Sequence, residues 1–146
     1  MSPEQIALRE VWSDALAQPH TNRQWARRIA GFDDPLPAAT APGAHPLTGT
    51  RLAGLTLDTP DAPTAHPLTH HGRTLLLDLD GSRTPCTADG LEQRAATVDT
   101  RSAHPVWHDV TAALIRPDAR IAWASTDPDP HRRATDCLTT LRTLHR

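Results

Sequence analysis

Two cysteines, nine histidines and a short series of aspartates are the residues of this 146-residue chain whose types can do chemistry. Cys86 lies in DLDGSRTPCTADG, a polar stretch that follows the apolar run TLLLDLD at 74–80. A cysteine held beside Arg83 and a helix N-terminus would have a stabilised thiolate, the nucleophile that a thiol-dependent peroxidase or reductase needs. The second cysteine, Cys137, falls on the apolar face of the last amphipathic segment and reads as a packing residue. The two lie too far apart for a CxxC pair, and reduced thiols are expected, with a Cys86–Cys137 disulfide as the alternative.

His66 and His70 are four residues apart, which on a helix would turn both the same way as half of a zinc site. His71 adds a third nitrogen nearby, but no Glu sits between the pair and Pro67 confines any helix to its first turn. Solvated loop histidines are the better account, and the same holds for His104 and His108 around Pro105 and Trp107. Asp78, Asp80 and Asp89 resemble a carboxylate cluster only in the linear chain. Asp78 sits inside the apolar run, where a strand-end position explains it more economically than acid–base catalysis. No GxGxxG, GxxxxGK[ST] or GxSxG pattern can be written, so the familiar phosphate cradles and the serine nucleophile elbow are excluded.

The elements that must position these residues follow from punctuation and periodicity. Ser2, Pro3 and Gln5 form a helix opening, after which Leu8, Val11, Trp12, Ala15 and Leu16 recur on one face until Pro19. Thr21-Asn22-Arg23-Gln24 predicts a second, shorter helix with Trp25 and Ile29 on one side and Gly31 at its end. Residues 33–50 hold Pro35, Pro37, Pro42 and Pro46 and predict a linker or wrapping arm. Leu55 and Leu57 suggest a short strand, 58–63 a turn and 64–71 one or two helical turns. TLLLDLD reads as a strand covered on both faces. A short helix around Leu91 to Arg94, a strand at AATVDT, a hairpin from TAALIRP and RIAWAS, and a final helix capped by Asp129-Pro130 complete the order. The fold class expected is α/β (α+β), a mixed sheet with flanking helices preceded by an N-terminal helical pair. The division expected is 1–32 for the helical pair, 33–50 for the arm and 51–146 for the sheet domain.

Composition narrows the function classes. The formal charge is −2, and every one of the 15 basic residues is Arg. So small a net charge advertises neither nucleic acid nor an anionic membrane. No signal peptide pattern and no apolar run of spanning length is visible, which leads to the expectation of a cytoplasmic protein. Trp12, Trp25, Trp107 and Trp123 supply much of the bulky packing in a chain with one Phe and no Tyr.

Four stretches carry a family resemblance: TNRQWARRIAGFD (21–33), HPLTGTRLAGLTL (45–57), HGRTLLLDL (71–79) and ALIRPDARIAWAS (113–125). Together they resemble the C-terminal region of the FAD-dependent aromatic-ring hydroxylases that tailor aromatic polyketides. The resemblance implies a thioredoxin-like domain without the redox CxxC, preceded by helices that close the flavin-binding portion in the full enzymes. The flavin fingerprints and the substrate cavity of that family have no counterpart among these residues, so no catalytic or cofactor-binding position is carried over and FAD is expected only through a separate partner. One departure is local: the hairpin turn reads Asp118-Ala119 where the family has Asp-Gly, which implies a different turn or strain. The TPCT stretch around Cys86 is similar to a thiol-peroxidase loop, yet Leu79 and Arg83 stand where the peroxiredoxin spacing requires Pro and Thr or Ser.

Three functions remain in view. The leading expectation is a stand-alone, non-catalytic accessory or interaction module that dimerises or joins a flavoprotein through Leu8, Val11, Trp12, Leu16, Trp25 and Ile29. The second is an enzyme, a thiol-dependent peroxidase or reductase using Cys86. The third is a binder of small, polyketide-like aromatic molecules between the 33–50 arm and the sheet.

Overall fold

Ser2 opens the first helix as its neighbours dictate. In this computed structural model, which describes residues 2–31, 43–58 and 72–144, the Gln5 amide donates to Ser2 Oγ and the Ser2 amide donates to Gln5 Oε1 at 2.9 Å. That reciprocal cap satisfies two amides left without helical acceptors, and α1 runs Pro3–Ala17. The second helix, α2, runs Pro19–Ile29 and starts two residues before the expected Thr21 box. Pro19 serves as its first residue because a fixed φ and a missing N–H cost nothing there. Arg27 and Arg28 in the last turn face the partial negative charge of the helix end. Trp12 and Trp25 join the pair edge to face, with ring centroids 5.2 Å apart at 83°.

The chain divides into two units, Met1–Asp34 and Pro35–Arg146. The second holds a four-stranded mixed sheet in the order β2-β1-β3-β4. Its strands are β1 Thr74–Asp78, β2 Leu91–Ala95, β3 Ala112–Ile115 and β4 Ile121–Ser125, and α3 follows at Pro130–Leu144. β1 pairs with β2 in parallel and with β3 antiparallel, and β3 pairs antiparallel with β4. The apolar run in β1 has the expected cause: Leu75 and Leu77 pack with Leu47, Leu52, Leu55, Leu57, Trp107 and Ile115 on one face, while Leu76 packs with Leu114, Cys137 and Leu141 on the other. Trp107 is fully buried, and its indole N–H donates to the Ala53 carbonyl.

Three expectations change. Leu91 to Arg94 form a strand rather than a short helix, because the open edge of β1 offers a parallel ladder worth more to these residues than their helix preference. The strand expected at AATVDT shrinks to isolated bridges, Thr97 with Asp80 and Val98 with Leu57, and the last of these also replaces the strand suggested at Leu55 and Leu57. Residues 79–90, the crossover between the parallel strands, contain no helix. The expected features at 33–42 and 59–71, His66, His70 and His71 among them, lie outside the described residues. The hairpin keeps its strain, since Ala119 adopts φ 59°, the left-handed region where an L side chain is costly. Asp118 supports the turn by accepting from the Arg120 amide and pairing with Arg116.

Candidate functional site

The chemistry-bearing side chains of the second unit gather on the α3 face of the sheet. Asp78, the last residue of β1, is fully buried there. Its carboxylate accepts from the Thr84 amide at 3.1 Å and from Gln93 Nε2 at 2.7 Å. Gln93 Nε2 also donates to the Thr84 carbonyl, so a β2 side chain fastens the crossover loop to the centre of the sheet. The buried carboxylate therefore has donors from the loop and from β2, and its role is to fold the crossover rather than to face a substrate.

Further along the loop, Asp80 and Ser82 receive the Arg133 guanidinium from the first turns of α3. Arg133 is fully buried, and its Nε–H has no acceptor. Desolvation pushes the Asp80 carboxyl up, but hydrogen bonds from Arg133 and Ser82 and the Arg133 charge outweigh it and hold the group below its ordinary value. One turn later on the same helix face, Cys137 meets Cys86: the sulfurs lie 3.2 Å apart and both thiols are free. Burial pushes the Cys137 thiol well up, and the Cys86 sulfur and the nearby Asp78 charge add to this.

These contacts bear on the thiol reading. Cys86 is buried, no helix begins in its loop, and Arg83, the expected activating cation, donates instead to Gln93 Oε1. Neither a helix N-terminus nor the Arg83 guanidinium is thus presented to Cys86 among the described residues. Asp78 ends β1 and Asp80 opens the loop, each with its own set of partners, and Asp89 is exposed in the turn before β2. His104 caps the short 3-10 turn Pro105–Trp107 by accepting from the Val106 amide, and His108 contacts the Ala103 carbonyl. Among the described residues no group of three or more His, Cys, Asp or Glu could hold a metal ion.

Gln93 and Arg133 were not singled out by sequence. The signal for Arg133 was present: counting back by fours from Leu141 and Cys137 leads to it, a cation on a buried stripe that must have a partner. Gln93 carried no comparable signal, because its importance depends on the parallel register that sets it beside Leu76.

A second feature is a cleft of about 620 Å³ lined by Gly43, His45, Trp123, Asp127, Asp129 and Arg132, among others. Burial lowers the His45 pKa, which leaves its imidazole neutral at pH 7. Arg132 pairs with Asp129 at 3.5 Å and lies 3.9 Å from Asp127, so the charges of the rim partly compensate one another.

In the first unit, neither helix has a buried residue, and Ile6, Leu8, Val11, Trp12, Leu16 and Ile29 are exposed. Trp25 is half-buried against Trp12. Five of the six proposed interface residues are thus presented outward, Ile29 most of all at 82%.

The family model for the aromatic-ring hydroxylase C-terminal region matches residues 45–143. The chain belongs to that family. It is 34% identical over 145 residues to 12-dehydrotetracycline 5-monooxygenase/anhydrotetracycline 6-monooxygenase of Streptomyces rimosus, an alignment covering 94% of this chain and 28% of the relative. Among solved structures, the anhydrotetracycline hydroxylase from Streptomyces rimosus superposes with a TM-score of 0.63 at 32% identity, over 94% of this chain and 29% of that one. An aromatic hydroxylase from angucycline biosynthesis gives 0.61 at 26% identity, over 91% and 28%. The chain therefore spans less than a third of the length of the relatives it matches.

Proposed function

We propose that this chain serves flavin-dependent hydroxylation of aromatic polyketides as a non-catalytic interaction module, self-associating or docking on a flavoprotein through the α1–α2 surface. The thioredoxin-like reading of the second unit is part of this proposal, supported by the order β2-β1-β3-β4 with a parallel β1–β2 pair, an antiparallel hairpin and a closing helix. The observation that carries it is the helical pair, whose apolar side chains are exposed where a family member would need them covered. FAD would belong to the partner, and the expected setting is the cytoplasm. Native mass spectrometry of the protein, alone and mixed with FAD, tests the reading. A flavin-free dimer, or a complex with an aromatic-ring flavoprotein hydroxylase, supports it. Flavin retained by the chain itself, or hydroxylation by the chain without a partner, overturns it.

A second reading has its own observation. The cleft between His45, near the end of the Pro-rich arm, and Trp123 of β4 lies where a small aromatic molecule would be held between arm and sheet. A neutral imidazole and an indole face suit a planar, hydroxylated ring system. Quenching of tryptophan fluorescence by polyketide-like aromatics, lost in Trp123→Leu, supports it; no quenching across a ligand panel rules it out.

A further inference from the structure

We propose that Cys86 and Cys137 are a redox pair whose oxidation to a disulfide locks the β1–β2 crossover loop to α3. The two thiols are already in contact at 3.2 Å, against the roughly 2.05 Å of a disulfide bond. Their surroundings hold them there. Arg133, one turn before Cys137, grips Asp80 and Ser82, so two successive turns of one helix face address the same loop, at its start and at its middle. Asp78, through the Thr84 amide, fixes the backbone two residues before Cys86. Such positioning raises the effective concentration of one sulfur at the other.

Burial makes the pair slow to react but not unreachable. Pro85 and Thr87, on either side of Cys86, are exposed, so the loop sulfur lies one residue beneath the surface, whereas Cys137 is wholly enclosed by the sheet and its own helix. Local opening of the loop uncovers Cys86 first. The oxidant is a hydroperoxide. Its O–O bond breaks as the Cys86 sulfur takes one oxygen to give a sulfenic acid, and the other oxygen leaves as water or alcohol. The Cys137 sulfur then attacks: the S–S bond forms, the S–O bond breaks, and the departing oxygen leaves as water with the thiol proton. Two thiols are oxidised by two electrons, and one hydroperoxide is reduced. The step serves a structural end, because it closes a chain segment between residues 51 apart in sequence.

The test uses the folded protein treated with hydrogen peroxide at neutral pH, quenched, denatured, alkylated and weighed intact. The expected product is a monomer that has lost two hydrogens and takes no alkylating reagent, and that melts about 10 °C higher until dithiothreitol returns it to the starting value. Cys86→Ser and Cys137→Ala should each remove both the mass loss and the shift in melting. The proposal is overturned if both cysteines still alkylate, if oxygen adducts accumulate on sulfur without loss of the alkylation sites, if the disulfide links two chains, or if the internally bridged protein melts no higher than the reduced one.

Discussion

Ala119 shows how one side chain can work against its own turn. With φ at 59° and the amide donating to the Arg116 carbonyl, the turn needs a residue tolerant of left-handed backbone. Ala119→Gly should raise stability by up to about 1 kcal/mol, the relief of strain being partly offset by the greater freedom of glycine in the unfolded chain. Ala119→Val should lower it by about 1–2 kcal/mol; chemical denaturation of the three proteins compares them. Gly54 is the opposite case. Its φ is +65°, and a Cβ there would lie 2.9 Å from the His104 Cβ while the His104 amide bonds the Gly54 carbonyl. Gly54→Ala should cost about 2 kcal/mol in the same assay. Asp80 adds a pH signature. Its carboxyl is held below the ordinary value in the folded state, so the stability it contributes is fully present above the unfolded value, about 3.9, and is lost as pH falls through the folded one. Because the Asp80 carboxylate reaches solvent while Arg133 is buried, Asp80→Asn should lower stability at pH 7 by about 1 kcal/mol, less than the loss of a fully buried pair. Urea midpoints measured from pH 7 downward should show the gap between the proteins narrowing below about pH 4.

At the scale of elements, sequence was most informative where local chemistry and tertiary packing agree. Ser2, Pro3 and Gln5 form α1's cap, the three leucines of β1 divide between two apolar faces, and Asp129 accepts from the His131 amide at the start of α3 as its position suggested. Sequence was misleading where the two conflict. Leu91-Glu92-Gln93-Arg94-Ala95 prefer a helix in isolation, yet become β2 because β1 presents an unpaired edge and Asp78 needs the Gln93 amide. The candidate site was half visible for the same reason: Cys86 and Asp78 announce themselves by type, whereas Gln93 and Arg133 matter only through the partners that folding brings to them. Gln93→Leu isolates the element-level effect. It keeps the strand apolar and β-compatible but leaves the Asp78 carboxylate short of a donor, and should cost about 1–3 kcal/mol by equilibrium denaturation. Joining Gln93→Leu with Asp78→Leu should cost less than the sum of the two single changes, since both partners of the hydrogen bond are then gone.

For the whole molecule, the hydrophobic core locates the cooperative unit. Among the described residues, every buried apolar side chain falls between Leu47 and Leu141, inside the second unit. Two apolar clusters, one on each face of the same sheet, share β1 and β3 as their common wall. Loss of either cluster would expose the other, which is the condition for all-or-none unfolding. The helical pair has a cap, an aromatic edge-to-face contact and exposed apolar side chains, and isolated helices of this length are marginal in water. A chain of residues 35–146 should accordingly keep a single cooperative melt within about 5 °C of the full protein. Residues 1–34 alone should show little helicity by circular dichroism. If the α1–α2 surface is the docking element, the shortened chain should stay monomeric and flavin-free at concentrations where the full chain associates. Loss of the cooperative melt in the shortened chain would mean that the helical pair is part of the core and not its instrument.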